Sequence, residues 1–343
     1  MFLKAVLVGC GAISQAWFKG MTGIKDLEIV GLVDLFEDNA KKRKEEYAPH
    51  TVTGTDLATV LKQVKPDIVF DCTIPAAHFE VVSTALEHGC HVLGEKPMAD
   101  NLEQAHQMIA TAQKANKLFA VMQNWRYTHN IRRLKRFLDS GVLGNITTIN
   151  ADFYVGAHFG GFREQMAHVL IKDMAIHTFD ASRFLSGQNP KTVYALEWNP
   201  EGSWYSRDAS AAAIFEMTGD VIFNYRGSWC SEGHRTPWES EWRILGTKGS
   251  ISWNGTNNIT CEIVGDDPEE QAFFREQYPI DVPFYDDIIQ HSEGHAAVIL
   301  SFIEALKNNT QPETVCTDNI KSLAMVYGAV ESAETGKKIE IKL

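Results

Sequence analysis

The stretch KAVLVGCGAIS, residues 4–14, decides how the first third of the chain folds. Its apolar start predicts a short buried strand, and the pattern after Ser14 predicts a helix. Between them, Gly9 permits a tight turn and Gly11 permits a close approach of the backbone to a phosphate. A strand that enters a helix through such a turn is typical of dinucleotide-binding units, in which a pyrophosphate meets a helix N-terminus. Ser14 stands where glycine or alanine is usual and predicts slightly looser helix–strand packing.

Short apolar strands continue to alternate with helices up to residue 123. Strands are predicted at residues 27–33, 67–73, 91–94 and 117–123, and helices at residues 38–47, 57–64, 78–87 and 101–116. Strands that alternate with helices in this way predict a doubly wound parallel sheet. We therefore expect a dinucleotide-binding domain over residues 1–124.

The acid at the end of the second strand indicates which dinucleotide this domain binds. Asp34 follows Ser14 by 20 residues, where a carboxylate hydrogen-bonds the adenosine ribose hydroxyls. The same carboxylate would repel a 2′-phosphate, so NAD is favoured over NADP. A glycine-rich turn without a cofactor is the alternative interpretation. The predicted cofactor-binding residues are Gly9, Gly11, Ala12, Ile13, Asp34, Thr73, Glu95 and Lys96.

After Trp125 the pattern changes to successive strands. They are predicted at residues 145–154, 192–198, 209–217, 221–229, 241–246, 250–253 and 337–343, with helices at residues 128–138, 294–308 and 317–335. Strands joined by short turns predict an open, mostly antiparallel sheet. We expect a second α/β domain over residues 125–343, which binds substrate and mediates oligomerisation.

One strand of that sheet suggests a partner subunit. Residues 209–215 are apolar or small on both faces, although an open sheet would leave one face in water. A covering subunit explains this pattern, so we expect a homodimer or homotetramer formed through the second sheet. A strand that is buried locally explains it equally well.

Composition narrows the possible partners and the cellular compartment. The net charge of −12 argues against nucleic acid and anionic membranes as partners, because both require a basic face. No apolar run is long enough to span a bilayer, and no basic region precedes the apolar start as in a signal peptide. The six scattered cysteines include no CxxC and are expected to be reduced thiols. These features predict a cytoplasmic protein.

A second motif, LIKDMAIHTFD at residues 170–180, places an acid and a histidine in an apolar helix. Asp173 and His177 are four residues apart, which puts them on one helix face. They could form a core hydrogen bond, a metal site or an acid/base pair. The metal interpretation has no third ligand at a clear spacing, although His158 and His168 lie upstream, and we predict no metal. An imidazole exchanges protons near neutral pH, so His177 is the best candidate for a general base.

Together these motifs resemble the Gfo/Idh/MocA family of sugar and polyol dehydrogenases over nearly the whole chain. The resemblance rests on the segments Gly9–Ser14, Asp34, Glu95-Lys96-Pro97, Asn124-Trp125-Arg126-Tyr127 and Asp173-Met174-Ala175-Ile176-His177. The chain departs from the family pattern at Ser14 and at Ala175, where the family often has glycine. The resemblance implies a Rossmann domain followed by an α/β domain with an open, mostly antiparallel sheet, and an active site in the cleft between them.

The resemblance also implies catalytic roles. Lys96 would lie near the nicotinamide and stabilise developing alkoxide charge, while His177 removes the hydroxyl proton and Asp173 supports it. Without the family, Lys96 would be interpreted as a surface lysine. The Lys96–Pro97 bond is expected to be cis. The predicted substrate-binding residues are Lys96, Arg126, Tyr127, Arg163, Asp173 and His177.

These roles predict an NAD-dependent dehydrogenase that acts on the CH–OH group of a sugar, polyol or glycoside. Two other functions fit the same fold. One is a glycosidase that oxidises and re-reduces its sugar on bound NAD. The other is a sensor that binds NAD without catalysis, and the complete set of Lys96, Asp173 and His177 argues against it.

Overall fold

The computed structural model describes residues 2–265 and 273–343. The chain forms two compact units, Met1–Asn124 with Ser292–Leu323 and Trp125–His291 with Ala324–Leu343. Residues 292–323, which the sequence pattern assigned to the second domain, therefore belong to the first unit.

The helices are α1 Ser14–Met21, α2 Glu37–Tyr47, α3 Leu57–Val64, α4 Pro75–Glu87, α5 Leu102–Ala115, α6 His129–Asp139, α7 Phe162–Gln165, α8 Ile176–Ser186, α9 Asp286–Ile289, α10 Gly294–Asn308 and α11 Cys316–Thr335.

Helix α10 joins the first unit because it packs closely on α1. A Cβ added to Gly20 of α1 would lie 3.2 Å from the backbone nitrogen of Ala296 and 3.1 Å from Cδ1 of Ile299. Such a separation is tighter than ordinary van der Waals contact, so a side chain at position 20 would push the two helices apart. This contact joins residues 276 and 279 positions apart in the chain, and the local sequence pattern gives no sign of it.

The first unit contains a six-stranded parallel sheet in the order β3-β2-β1-β4-β5-β6. Its strands are β1 Leu3–Val8, β2 Leu27–Val33, β3 Val52–Gly54, β4 Ile68–Asp71, β5 His91–Gly94 and β6 Phe119–Val121. The order confirms the predicted doubly wound fold. The strand order reverses between β1 and β4, and ligands of such sheets bind at the carboxyl ends of the strands beside this switch point. Strand β3, which was not predicted, has only three residues.

Two helices of this unit begin at side-chain caps. The Asp56 carboxylate accepts a hydrogen bond from the Thr59 backbone N–H at 2.8 Å and caps α3. Asn101 accepts one from the Gln104 N–H at 2.8 Å and caps α5. These bonds satisfy backbone donors that have no partner within the helix, so the caps fix where each helix begins.

The second unit contains a nine-stranded sheet in the order β14-β13-β12-β11-β7-β10-β9-β8-β15 among the described residues. Its strands are β7 Ile146–Tyr154, β8 Pro190–Trp198, β9 Ser210–Met217, β10 Ile222–Ser228, β11 Glu241–Gly246, β12 Gly249–Trp253, β13 Ile259–Val264, β14 Gln277–Ile280 and β15 Ile339–Glu340. Only β7 and β10 pair in parallel, which confirms the predicted mostly antiparallel sheet. Strands β13 and β14 were not predicted, and β15 is shorter than the predicted strand at residues 337–343.

Helix α8 packs one face against this sheet through aromatic rings. The Phe179 ring lies 4.8 Å from Phe215 of β9, and 6.0 Å and 5.2 Å from Phe223 and Tyr225 of β10. All four residues are fully or almost fully buried. Since rings of this size bury large apolar areas in specific edge-to-face arrangements, the cluster holds α8, and with it His177, in a defined position.

Among the helices of residues 2–265 and 273–343, none is both long and apolar enough to cross a membrane.

His91, the first residue of β5, has an unusual environment at the amino end of the parallel sheet. Its Nδ1 accepts a hydrogen bond from the Leu118 backbone N–H at 2.9 Å. The pKa of His91 is lowered to about 4, mainly by burial and further by the charge of Lys117, while Asp67 opposes the shift. The imidazole is therefore neutral in the folded protein at neutral pH, and a proton on Nδ1 would break the bond to Leu118.

We expect the protein to lose stability as the pH falls from about 6.5 towards 4, because the unfolded imidazole takes up a proton that the folded one does not. His91→Gln should reduce this loss, since the amide oxygen can accept from Leu118 without titrating. The measurement is urea unfolding at pH 7 and pH 4.5, with His106→Gln as a control at an exposed histidine. An unchanged loss of stability in His91→Gln would contradict the assignment.

Candidate active site

The turn between β1 and α1 is closed on one side and open on the other. Gly9 has φ +86°, and a Cβ there would lie 2.7 Å from the carbonyl carbon and oxygen of Cys72. Only glycine fits this position. A Cβ on Gly11 would meet no atom within 4 Å, and residues 11–13 are exposed. The turn therefore leaves room at the start of α1 for the close approach of a pyrophosphate.

Ser14 is tightly packed, so the prediction of looser packing at this position is wrong. Its side chain is fully buried, and its hydroxyl donates to the Gly11 carbonyl at 2.6 Å and accepts from Nε of Arg43 at 2.9 Å. Arg43 also donates from Nη2 to the Gly11 carbonyl at 3.1 Å. The serine hydroxyl thus links the turn to α2 through hydrogen bonds. Sequence reasoning missed Arg43, which lies on a highly charged helix and resembles a surface residue.

Asp34 lies beside the glycine turn and holds its backbone. One carboxylate oxygen accepts from the Cys10 N–H at 2.7 Å, and the other accepts from the Phe36 N–H at 2.9 Å and from Asn39 at 3.2 Å. The apolar side chains of Leu35 and Phe36 beside it are 84% and 71% exposed. A ribose acceptor next to uncovered apolar side chains fits an adenosine, so the residues present suit a bound dinucleotide.

The predicted residue Thr73 belongs to a hydrogen-bonded cluster at the end of β4. Its hydroxyl donates to Asp71 at 2.6 Å, and Nδ1 of His78 lies 2.7 Å from the other Asp71 oxygen. Burial disfavours the charged imidazole, but the Asp71 carboxylate outweighs burial and raises the pKa of His78. The cluster fixes the β4 end against which Gly9 packs.

Glu95 makes its hydrogen bonds inside the first unit. Its carboxylate accepts from the Trp17 indole at 2.7 Å and from the Lys96 backbone N–H at 3.2 Å, and Nε2 of His295 lies 3.5 Å away. Burial opposes ionisation, but His295, Trp17 and Lys96 together lower the pKa of Glu95. Glu95 is 7% exposed, so these contacts hold the end of β5, and its predicted role in cofactor binding stays a prediction.

Lys96 lies at the carboxyl end of β5, on the same edge of the sheet as the glycine turn. The Lys96–Pro97 peptide bond is cis, which confirms the prediction. The Glu95 carboxylate accepts from the lysine's own backbone N–H, so the chain direction at this position is fixed by a buried contact.

In the second unit, Asp173 and His177 lie on consecutive helical segments. Asp173 belongs to a π-helical segment, Leu170–Ala175, which runs directly into α8. Segments of this kind are frequent at functional sites. Nε of Arg163 donates to the Asp173 carboxylate at 2.7 Å, and the His177 ring stacks on Trp125 with centroids 4.8 Å apart. The acid and the imidazole are thus each held by a separate neighbour.

The two remaining predicted substrate residues differ in their surroundings. Arg126 is buried and donates to both oxygens of Asp180, from Nε at 2.9 Å and from Nη2 at 2.5 Å. This fork-to-fork pairing makes Arg126 a partner in an internal ion pair, and its role in substrate binding stays a prediction. The Arg132 guanidinium lies 4.3 Å from the centre of the Tyr127 ring. The pair of Arg126 with Asp180 was not visible from spacing, because the two residues are 54 positions apart.

The part of the chain that the structure describes contains no group of three or more histidine, cysteine, aspartate or glutamate side chains placed to hold a metal ion.

The chain matches two family models. Residues 3–123 match the oxidoreductase family with an NAD-binding Rossmann fold, and residues 131–252 match the GFO/IDH/MocA C-terminal domain. It is 32% identical to the D-glucoside 3-dehydrogenase of Escherichia coli over 54% of each chain. It is 24% identical to the 1,5-anhydro-D-fructose reductase of Ensifer adhaerens over 98% of each chain.

A solved structure confirms the fold over the full length. An oxidoreductase from Agrobacterium radiobacter, in complex with NAD+, L-tartaric acid and magnesium, has a TM-score of 0.87 at 22% identity over 99% of each chain. Fold and glycine turn thus define an oxidoreductase with an NAD-binding Rossmann domain. The chain belongs to the Gfo/Idh/MocA family.

Two glycine variants separate the structural part of the turn from the binding part. Gly9→Ala should cost on the order of 2 kcal/mol of unfolding free energy, because its Cβ meets backbone at a positive φ. Gly11→Ala should change stability by less than about 0.5 kcal/mol but weaken NADH binding by about tenfold or more, since its methyl group fills space that a phosphate needs. Urea unfolding and an NADH fluorescence titration measure the two effects. Unimpaired NADH binding by Gly11→Ala would contradict the assignment.

Proposed function

We propose that this enzyme oxidises a CH–OH group of a sugar, polyol or glycoside with NAD+, with His177 as the general base and Lys96 beside the reacting oxygen. The proposal depends above all on Asp173 and His177, which share one helical run that begins in a π-helical segment. The names of the relatives from Escherichia coli and Ensifer adhaerens, a D-glucoside dehydrogenase and an anhydro-sugar reductase, support this substrate class.

In the proposed reaction, Nε2 or Nδ1 of His177 accepts the hydroxyl proton as the carbon–hydrogen bond breaks. Stacking on Trp125 limits rotation of the imidazole, which favours a fixed direction of proton transfer. The Lys96 ammonium stabilises the negative charge that develops on the oxygen. NAD+ supplies the hydride acceptor when it is bound at the glycine turn.

Asp173 has two possible contributions. Its carboxylate accepts from Arg163 at 2.7 Å, and the side chain keeps 13% of its surface exposed. Its carboxylate can accept a hydrogen bond from a substrate hydroxyl or stabilise the protonated imidazole. Arg163 itself is one-third exposed and is the better placed of the two predicted substrate-binding arginines.

The two alternatives differ from the dehydrogenase in what they release. A glycosidase with transient oxidation would release an aglycone without net NADH, and an NAD-binding sensor would turn over no sugar. We favour the dehydrogenase because a sensor does not need both a lysine and a histidine at the reacting oxygen.

We expect His177→Ala and Lys96→Ala each to lower kcat by about 10²–10⁴-fold, because each removes a group that acts only in the transition state. Activity is followed as NADH absorbance over a panel of sugars, inositols and glycosides, with NAD+ and NADP+ in parallel. The control is Arg136→Ala, which removes an exposed pair with Asp287. Wild-type turnover in both alanine variants would show that the assigned roles are wrong.

A second copy of the chain is the proposed partner of the second sheet. The outer face of β8 and β9 exposes Tyr194, Leu196, Trp198 and Ile214, each 41–51% exposed. Tyr194 and Ile214 are paired across the two strands, so these side chains form one apolar stripe. The stripe supports a homodimer or homotetramer, and the six unpaired cysteines support the proposed cytoplasmic location.

Leu196→Lys combined with Ile214→Lys should shift the protein to monomers, because the two ammonium groups would be buried without partners at the interface. Sedimentation velocity measures the shift, and Thr260→Lys on the exposed face of β13 serves as the control. A wild-type protein that sediments as a monomer at micromolar concentration would rule out this interface.

A further inference from the structure

Three exposed aromatic rings form a patch in the second unit. Phe159, Phe162 and Trp238 are 50%, 55% and 48% exposed, and we call them the aromatic platform. Two of these rings pack on the buried Trp229, whose ring centroid lies 5.5 Å from that of Phe159 and 5.8 Å from that of Trp238. Large apolar side chains that stay uncovered next to a polar site commonly mark a binding surface.

The platform is joined directly to the predicted catalytic segment. The Arg163 guanidinium lies 5.2 Å from the Phe159 ring centre and 4.9 Å from that of Phe162, and it also donates to Asp173 at 2.7 Å. One arginine therefore contacts both the platform and the acid of the site.

The loop that carries Trp238 is tied to the same helix. Ser240, two residues after the tryptophan, lies 3.2 Å from the Thr178 hydroxyl, and Thr178 follows His177 in the chain. The platform is thus connected to the acid through Arg163 and to the histidine's helix through Ser240, which places it close to the helical run that carries both residues.

The loops that form the platform are held in place by several contacts. The Ser206 N–H donates to the Glu164 carbonyl at 2.8 Å, and the Thr236 N–H donates to the Tyr154 carbonyl at 3.0 Å. His158 stacks on Trp204 with ring centroids 3.7 Å apart. Because these contacts order the loops in advance, a ligand that stacks on the platform loses little free energy to loop ordering.

We propose that the aromatic platform binds the second ring of a glycoside whose first sugar is oxidised at Asp173 and His177. This inference rests on the proposed function and narrows its substrate class from free polyols to glycosides with a ring-bearing aglycone. A pyranose presents a face of C–H groups and a phenyl ring presents a flat π face, and either stacks on exposed aromatic side chains. The polar groups at the rim, such as the exposed pair of His158 with Glu232, can reach ring hydroxyls.

The test compares ligands that differ only in the aglycone. Binding of methyl, phenyl and glucosyl β-D-glucosides, and of the corresponding β-D-galactosides, is measured by calorimetric titration of the full chain with saturating NADH. We expect the ring-bearing members of the accepted series to bind about threefold to tenfold more tightly than the methyl glycoside, the range for one aromatic stacking contact. The tighter of the phenyl and glucosyl compounds identifies the natural kind of aglycone.

Variants of the aromatic platform test whether the preference for ring-bearing over methyl glycosides depends on its rings. Trp238→Ala and Phe159→Ala should bring the ratio of ring-bearing to methyl affinity close to one. Tyr278→Ala, which removes an aromatic ring of similar exposure (44%) on β14, should keep the ratio.

The outcomes separate this inference from the proposed function. Equal affinity for methyl and ring-bearing glycosides, or a preference that survives both platform variants, overturns the subsite, as does a failure of every member of both series to bind. A preference that depends on Trp238 supports the subsite even if no NADH forms, whereas the absence of NADH formation counts against the dehydrogenase alone.

Discussion

The contact between Gly9 and the backbone of Cys72 and Thr73 is the constraint on which the first unit depends. At this point the ends of β1 and β4 come so close that no side chain fits between them. The strand order reverses here. The turn that follows leaves open space at Gly11, where a Cβ would meet no atom within 4 Å. The buried contacts of Ser14, Arg43 and Asp34 all act on this same turn, so its shape is fixed before any ligand arrives.

The second unit achieves a comparable rigidity by different means. Its site is carried on a helix whose other face is packed into the sheet by the Phe179 ring cluster, and the helix begins in a π-helical segment. Nearby charges are paired inside the unit, as Arg126 is with Asp180. Packing therefore fixes the position of the helical run that carries Asp173 and His177.

Local patterns predicted a large part of this arrangement. The glycine turn, the acid at Asp34, the cis bond after Lys96 and the Asp173 and His177 pair each depend on a few neighbouring residues, and each leaves a signature in the sequence. Strand β3 leaves a much weaker signature in the sequence, because three residues cannot establish a periodic pattern.

The features that were missed depend on residues distant in the chain. Arg43 reaches Ser14 across 29 residues, and Arg126 meets Asp180 across 54. Both arginines look like surface residues in the sequence, and only the fold shows that they are buried. The assignment of α10 to the first unit likewise follows from its packing on α1 near Gly20, which no local pattern records. The sequence thus predicted local elements better than the long-range contacts that hold them in place.

The central claim is that the enzyme removes a carbon-bound hydrogen from its substrate and passes it to NAD+. Mass spectrometry of the cofactor after reaction with a substrate deuterated at every carbon tests this claim most directly. The account predicts that the reduced dinucleotide carries one deuterium from the substrate and none from heavy water in the reverse-labelled experiment. Cofactor recovered without label, with the deuterium still in the released sugar, would contradict net oxidation and favour the glycosidase.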